Sequence, residues 1–497
     1  MTTDPADLGA RAARDLFVSR ALSPVELAEA CIARVERLDH AVNAVVARDF
    51  ERVREGARAA EAAIAQGEPL PPLAGLPLAV KDMEDVAGLP TTFGSEIFAE
   101  NVPARDDAFV GGLRAAGALP LGKTNVPEWS AGANTRNRVY GTTPNPFDLT
   151  RNAAGSSGGS AVALALGYAP LATGSDMGGS LRTPAAYNGV VGFRPSPGIV
   201  PDDKRALGAL PLGLKGPMAR DVGDVALLLS VMARPDPRDV YTAAADGRTA
   251  WDPSGFASLP PVDLASLRVA VTPDFGVAPT EAAVRALFSD RIARLSSLFG
   301  TVEETHPDSH DADRLFAVLR ALSFLAAFSD FLRDRPHQVG PNVTANVIEG
   351  QGYSAEDAAR AIAGQTAYQH RWRGFFDRWD VLISPTATIQ PRDWHELAPT
   401  EIDGRPTESY YQWLSLAYAT TLAGHPSITV PCGVDADGLP FGLQIVGQRL
   451  GDRKLLAVAA AIEAAIAGTE GLARPRPDLA MLAAAPPIAE AAGFRDL

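Results

Sequence analysis

The sequence is poor in the residues that mark several common kinds of protein. Its 497 residues include two cysteines, Cys31 and Cys432, which lie far apart and form no CxxC motif. This spacing excludes a disulfide framework and a cysteine-based zinc site. The seven histidines are scattered without the pattern of a metal site. We therefore expect no metal and no cofactor, and the shortage of cysteine favours a cytoplasmic location.

Positive charge and long apolar runs are also scarce. The chain carries 45 lysines and arginines against 59 aspartates and glutamates, a formal net charge of -14. Binding to nucleic acid depends on clustered basic residues, so we expect no nucleic-acid partner. No uninterrupted apolar run reaches the length of about 18 residues that a membrane span needs, and the N-terminal segment does not resemble a secretion signal. We expect no membrane partner.

Apolar residues as a class are plentiful. They make up 46% of the chain while charged residues make up 21%, which is typical of a globular protein with a substantial core. Near the N-terminus, Ser23 and Pro24 have the pattern of a helix start, and apolar residues recur after them at helical spacing. The alanine-rich stretch that follows predicts a second helix over residues 42–66.

Two short apolar runs each lead to a lysine. Residues 76–80 precede Lys81, and residues 119–121 lead to Lys123. Runs of this length predict buried strands, so we expect both lysines at strand ends. Residues 117–124 also match GxxxxGKS/T, the phosphate-binding loop of nucleotide hydrolases, but a helical pattern precedes them and their interior is itself strand-like. This context rejects a phosphate-binding loop.

The most unusual stretch covers residues 151–198, which contain ten glycines. Two Gly-Ser turns, one around Ser156 and Ser157 and one ending at Ser180, flank an apolar run. Glycine clusters persist where a backbone turns with positive φ or approaches another group closely. A flexible linker would not contain such an apolar run. The stretch therefore predicts two serine-bearing turns on a rigid scaffold.

Two nucleophiles can be considered from these turns. Residues 155–159 match GxSxG with Ser157 at the position of an α/β-hydrolase nucleophile, although no HGG motif occurs and no histidine lies in a recognisable loop signature. In the second turn, the backbone amides before Ser180 could hold an oxyanion. Serine needs a base, and a lysine whose pKa is lowered by burial can act as one. Lys81 and Lys123 are the candidates.

The ordered motifs resemble those of one family, the amidase signature hydrolases. The resemblance covers most of the chain and rests on GLPLAVKD at residues 75–82, GKTN at 122–125, GSSGGS at 155–160, GGSLR at 178–182, GVVGFRP at 189–195 and further matches within 431–444. It implies an α/β fold with a large mixed β-sheet covered by helices on both faces. It also implies a single domain over residues 1–497, in which residues 1–70 form N-terminal helices, 71–200 the signature core, 300–395 the substrate-cleft region and 396–497 a C-terminal sheet and tail.

Carried over by position, the resemblance implies a catalytic triad. Ser180 would be the nucleophile, Lys81 the base, and Ser156 the relay that passes the proton between them. Asp176 and Arg182 would brace the turn as an ion pair, whereas Lys123 has no assigned proton transfer. The oxyanion hole would consist of the backbone amides of Met177, Gly178, Gly179 and Ser180.

The resemblance also implies an activity. We expect an amidase that hydrolyses uncharged hydrophobic or aryl amides, with carbamates (urethanes) and esters as an extension, and a monomer or homodimer whose partner is a small-molecule amide or carbamate. Aromatic residues between Phe316 and Trp379 are expected mostly in the core, with a few of them over an apolar cleft. Two alternatives stay open: a glutamine amidotransferase subunit, and an α/β-hydrolase-like esterase that uses Ser157.

Overall fold

A mixed sheet of eleven strands runs through the protein, whose computed structural model describes residues 4–242, 244–245, 248–249 and 251–496. In chain order the strands are β1 Val45–Arg48, β2 Pro77–Lys81, β3 Leu119–Thr124, β4 Leu171–Asp176, β5 Val191–Arg194, β6 Leu214–Ala219, β7 Arg268–Val271, β8 Thr301–Glu304, β9 Val381–Pro385, β10 Ser427–Val434 and β11 Pro440–Val446. Their spatial order is β1-β3-β2-β4-β6-β5-β10-β11-β9-β7-β8. Strand β2 pairs in parallel with β3 and β4, and β7 with β8 and β9, whereas the other neighbours are antiparallel.

Helices account for most of the remaining regular structure. In the described residues they are α1 Ala10–Val18, α2 Pro24–Val42, α3 Phe50–Gln66, α4 Ala108–Ala115, α5 Gly158–Ala165, α6 Arg182–Tyr187, α7 Val222–Met232, α8 Ala282–Leu295, α9 Ala312–Asp334, α10 Pro341–Gln351, α11 Ala355–Phe375, α12 Ser415–Ala423, α13 Asp452–Ala467 and α14 Leu479–Ala484. By length and composition alone, α9 is the one described helix that could cross a membrane. Here it packs against α10, α11 and α12.

Both faces of the sheet are covered. Along β9, Val381 and Ile383 belong to one apolar cluster, whereas Leu382 between them belongs to a second. Ile445 and Val446 of β11 divide between the same two clusters. Because successive strand residues point to opposite faces, each face of the sheet has its own buried layer. The predicted fold class, a large mixed sheet with helices on both faces, is confirmed.

The N-terminal prediction is half right. Ser23 caps α2 as expected, but residues 45–48 form the edge strand β1 rather than the start of a second helix. Asn43, in the left-handed conformation with φ 47°, ends α2. The buried Asp39 carboxylate then accepts a hydrogen bond from the amide of Ala44 at 2.8 Å. These contacts turn the chain towards β3, which pairs with β1, and α3 begins only after its Asp49 cap.

The site described next lies at one edge of this sheet. Strands β2 and β4 are parallel neighbours, so their carboxyl ends, at Lys81 and Asp176, lie at the same edge of the sheet. The glycine turn that ends at Ser180 follows β4 and leads into α6. Helix α5, which follows Ser157, packs on β2, β3 and β4. Both serine-bearing turns are therefore held by the sheet and its helices, as the glycine pattern predicted.

Candidate active site

Lys81 is the centre of a buried cluster of hydroxyl groups. Its side chain is 1% exposed, and its Nζ atom lies 2.7 Å from Ser156 Oγ, 2.9 Å from Ser157 Oγ and 2.9 Å from Ser175 Oγ. No carboxylate in the described part of the chain contacts this amine. A charged ammonium surrounded only by hydroxyls is poorly compensated inside a protein. The surroundings of Lys81 therefore favour the neutral amine.

The pKa of Lys81 follows from this environment. Burial lowers the pKa from its ordinary value of 10.5 to about 7, although the negative charges of Asp176 and Glu84 act in the opposite direction. At neutral pH a large fraction of the amine is then unprotonated and able to accept a proton. A base whose pKa lies near the working pH is the most effective kind of proton acceptor.

Lys123 has a different environment, although it also lies at a buried strand. Its Nζ atom is 2.7 Å from Asp82 Oδ1 and 2.8 Å from Thr91 Oγ1, and both charged side chains are fully buried. The carboxylate stabilises the ammonium. Of the two candidate lysines, Lys81 alone fits the role of a neutral base. Residues 119–124 form β3, so the rejection of a phosphate-binding loop is confirmed.

The first serine turn, around Ser156 and Ser157, connects Lys81 to the second turn, which ends at Ser180. The peptide bond between Gly155 and Ser156 is cis. The backbone N–H of Ser157 donates to the carbonyl of Ser180 at 3.2 Å, which joins the two turns directly. A Cβ atom on Gly159 would lie 2.4 Å from the backbone nitrogen of Asn125, so only glycine allows α5 to start this close to the end of β3.

The second turn presents Ser180. Gly179 has φ 105°, and a Cβ atom there would lie 2.6 Å from the Ala417 side chain, so glycine is required. The amide of Gly179 donates to Asp176 Oδ1 at 3.0 Å. Among the described residues, the amides of Met177, Gly178 and Ser180 meet no acceptor. Of the four amides predicted to hold an oxyanion, that of Gly179 is therefore already occupied, because it helps to hold the shape of the turn.

The predicted ion pair beneath this turn is confirmed. Arg182 holds the Asp176 carboxylate through two hydrogen bonds of 2.8 and 3.0 Å, and Arg194 lies 3.6 Å from the same carboxylate. Burial acts to raise the pKa of Asp176, but the two guanidinium groups hold it well below its ordinary value. The backbone amide of Leu181 also donates to this carboxylate, at 3.1 Å. Asp176 thus fixes the backbone on both sides of Ser180.

A cavity of about 270 Å³ opens beside the two turns, and Ser156 and Ser180 both line it. Apolar residues make up much of its lining, among them Trp129, Met177, Phe324, Phe328 and Leu414. Charged residues also line the cavity, among them Glu84, Asp202, Lys204, Arg205 and Lys215. The expectation of an apolar cleft therefore holds for most of the lining, although charged residues line the cavity as well.

The predicted cleft region over residues 300–395 supplies less of this cavity than expected. From that range only residues of α9 line it, and the aromatic side chains of Tyr368 and Trp372 are core residues. Much of the rest comes from residues 202–215, a segment without any motif. Ser157 is fully buried, and it is not among the described residues that line the cavity. This placement argues against Ser157 as a nucleophile.

Sequence reasoning also missed Ser175. Its hydroxyl contacts Lys81 Nζ, and two residues earlier on β4 the hydroxyl of Thr173 accepts from the Lys81 backbone N–H at 2.9 Å. Alternate residues of a strand share one face. The alternation of Thr173 and Ser175 was therefore a usable signal. Arg320, which also lines the cavity, had no such signal in the sequence.

Comparisons with known proteins agree with this geometry. A family model described as amidase matches residues 26–456. An acylamidase of Rhodococcus erythropolis is 35% identical over 450 residues, which cover 90% of this chain and 93% of that protein. A glutamyl-tRNA(Gln) amidotransferase subunit of Symbiobacterium thermophilum is 35% identical over 470 residues, covering 89% and 94%.

Solved structures show the same kinship. A bacterial aryl acylamidase, described as belonging to the amidase signature enzymes, superimposes with a TM-score of 0.83 at 30% identity, covering 92% of this chain and 96% of that one. The matched region includes both serine turns and Lys81. The chain belongs to the amidase signature family and is a hydrolase of carbon–nitrogen bonds in non-peptide amides.

Proposed function

We propose that this protein hydrolyses aryl and other hydrophobic acyl amides through an acyl-enzyme formed on Ser180. One observation carries the proposal: the buried amine of Lys81 lies 2.7 Å from Ser156 Oγ, and Ser156 and Ser180 open into the same cavity. A lysine base, a relay serine and a nucleophilic serine are a known variant of triad chemistry. The apolar side chains that line this cavity suit an aromatic group.

In the proposed mechanism, Ser156 takes the hydroxyl proton of Ser180 while it passes its own proton to neutral Lys81. Ser180 Oγ attacks the amide carbonyl, and the free amides of Met177, Gly178 and Ser180 stabilise the oxyanion. The relay then runs backwards and protonates the leaving nitrogen, because an amine is not expelled from an amide without a proton. Water hydrolyses the resulting ester on Ser180 by the same proton path.

The substrate class extends to carbamates and esters. Both present a carbonyl carbon to Ser180, and both are cleaved through the same kind of intermediate. Relatives named acylamidase and aryl acylamidase support amides as the main class. The similarity to an amidotransferase component supports glutamine as the second candidate substrate.

The test combines a substrate panel with covalent labelling. We expect hydrolysis of 4-nitrobutyranilide and of a phenyl carbamate, and labelling of Ser180 by phenylmethylsulfonyl fluoride, located by peptide mass spectrometry. Ser180→Ala should abolish both hydrolysis and labelling, whereas Ser157→Ala should keep the label on Ser180. Hydrolysis of glutamine alone would overturn the proposed substrate class, and a label on Ser157 would overturn the mechanism.

We further propose that residues 1–497 act as one domain, in the cytoplasm, as a monomer or homodimer. The sheet takes its strands from positions 45 to 446, which supports a single folding unit. Both cysteines are free and buried, as suits a reducing compartment. Light scattering after gel filtration measures the oligomeric state, and a larger assembly would contradict this proposal.

A further inference from the structure

Arg320 is an arginine buried in the wall of the cavity that contains Ser180. It lies on α9 and is 6% exposed. Four aromatic rings surround its guanidinium: the carbon at its centre lies 4.6 Å from the ring centre of Phe324, and 5.3 to 5.8 Å from those of Phe316, Tyr410 and Tyr411. Ring faces attract a cation, so this cage holds the guanidinium in place.

The hydrogen bonds of Arg320 leave much of its donor capacity unused. Its Nε atom donates to Asn346 Oδ1 at 2.9 Å, and its Nη2 atom donates to the hydroxyl of Tyr410. Its Nη1 atom meets the sulfur of Met177 at 3.5 Å, which is a weak acceptor. A guanidinium carries five N–H donors. Only two of the five therefore reach an oxygen atom within the described residues.

The other cations that line the cavity are neutralised. Each is paired with a carboxylate: Lys204 with Asp85 at 2.9 Å and with Asp107 at 3.1 Å, Arg205 with Asp239 at 3.3 Å, and Lys215 with Glu84 at 2.7 Å and with Asp202 at 3.5 Å. Arg320 contacts no carboxylate among the described residues. It is thus the cation lining this cavity that forms no ion pair with a described carboxylate.

A buried charge without a counter-charge is costly, and aromatic faces compensate it only in part. A guanidinium whose free N–H groups face a cavity offers the planar fork that matches a carboxylate. We propose that Arg320 is a substrate-binding residue that holds a carboxylate, or a similar planar anion, on the part of the amide that does not react. This inference rests on the proposed amidase function and departs from the expectation of uncharged substrates.

The position of Arg320 fits this role. Its Nη1 atom contacts the side chain of Met177, and the backbone of Met177 begins the turn that ends at Ser180. A substrate held at Arg320 would therefore lie in the same cavity as Ser180, next to the turn that presents it. The rings of Phe324 and Trp129, which line the same cavity, would cover the apolar part between the two ends.

The test compares substrates that differ only in the carboxylate. One series pairs succinyl, glutaryl and adipoyl 4-nitroanilides with butyryl, valeryl and hexanoyl 4-nitroanilides. A second series pairs N-butyryl 4-aminobenzoate with butyranilide, so that the carboxylate lies on the amine side instead. Since a hydrogen bond to a charged group is worth about 1.5 to 3 kcal/mol, we expect one series to show a kcat/KM about 10 to 100 times higher for the carboxylate-bearing member.

Variants assign that preference to Arg320. Arg320→Gln should remove it, mainly by raising KM for the carboxylate-bearing substrate, while hydrolysis of the neutral partner persists. Arg320→Lys should restore part of it. Arg205→Gln is the matched control, because Arg205 lines the same cavity but is paired with Asp239, and it should keep the preference.

The outcomes separate this inference from the proposed function. Neutral anilides cleaved at Ser180 without preference for a carboxylate in either series would overturn the role of Arg320 and leave the amidase proposal intact. An equal loss on both members of each pair in Arg320→Gln would also overturn it, because that result indicates a structural role. Should the variants not fold, the wild-type preference, and stronger inhibition by free glutarate than by glutaramide, decide the question in the same way.

Discussion

The Nζ atom of Lys81 lies 2.7 Å from the Oγ atom of Ser156, and no carboxylate among the described residues touches either atom. Most buried lysines have an acidic partner that keeps them charged. Here the partners are hydroxyl groups, which can both accept and donate a proton. Ser156 can therefore pass a proton to Lys81 without first breaking an ion pair between Lys81 and a carboxylate.

Replacing Lys81 with methionine tests this relationship directly. Methionine has a similar length but no basic nitrogen, so Lys81→Met should lower kcat/KM on a 4-nitroanilide by at least about 100-fold, as loss of a general base does. The fold should persist, because an apolar side chain replaces a poorly compensated amine. Thermal unfolding followed by circular dichroism checks the fold. A variant that keeps more than a tenth of the activity would contradict the role of Lys81 as the base.

The pH dependence follows from the lowered pKa of Lys81. Its pKa of about 7 predicts that kcat/KM rises with pH up to this value and then levels off, because the neutral amine is the active form. Between about 7 and the ordinary value of 10.5, the unfolded chain binds one more proton at this residue than the folded chain. This difference makes the stability of the wild type rise with pH in that window.

The stability of the protein between about pH 7 and 10.5 therefore gives a second test of the lowered pKa. Because methionine does not titrate, the free energy of unfolding of the wild type should rise relative to that of Lys81→Met as the pH rises, by at most about 1.4 kcal/mol per pH unit. Urea unfolding of both proteins across this range measures it. An activity profile that is level across neutral pH, together with a constant stability difference, would refute the lowered pKa.

Replacing Lys123 with methionine should destabilise the fold, unlike the same replacement at Lys81. Its ammonium is the buried partner of Asp82 at 2.7 Å, so Lys123→Met leaves a carboxylate buried without its cation. Removing one partner of a buried pair costs about 3 to 5 kcal/mol, which we expect as a loss in the free energy of unfolding. Urea denaturation measures this loss. A Lys123→Met protein as stable as the wild type would show that the ion pair between Lys123 and Asp82 does not stabilise the fold by this amount.

The contrast between Lys81 and Lys123 shows which features of the site could be predicted from the sequence alone. Lys81, Ser156 and Ser180 stand in short local motifs, and the short apolar runs predicted the strands that carry the two lysines. Which lysine is ion-paired depended on Asp82 and the turn around Thr91, whose position against Lys123 only the fold determines. To assign the roles of both lysines therefore required three-dimensional contacts as well as motifs.

Features that depend on distant parts of the chain could not be predicted. Strand β1 forms because Asp39 and Asn43 turn the chain towards β3, which outweighs the helical propensity of the alanine-rich stretch. Arg320 lines the cavity because α9 packs across the glycine turn, and no local pattern marks that contact. The amide of Gly179 is occupied by Asp176, a detail that depends on side-chain geometry.

Asp176 connects stability to the shape of the turn, and its replacement tests both. Asp176→Asn keeps the size of the side chain but leaves the buried guanidinium of Arg182 without its carboxylate, so we expect a loss of about 3 to 5 kcal/mol in the free energy of unfolding. The turn amides that it holds, those of Gly179 and Leu181, lose a charged acceptor. The kcat on a 4-nitroanilide should therefore fall as well.

A double variant and a pH series make this last test specific. Arg182→Met combined with Asp176→Asn should cost less than the sum of the two single losses, because removing both partners leaves less uncompensated charge. Since the pKa of Asp176 lies well below its ordinary value, its contribution to stability is present above the ordinary carboxyl pKa of 3.8 and is lost as the pH falls. Asp176→Asn should therefore lose less stability on acidification than the wild type. Additive single losses with an unchanged acid response would show that Asp176 and Arg182 act independently of each other.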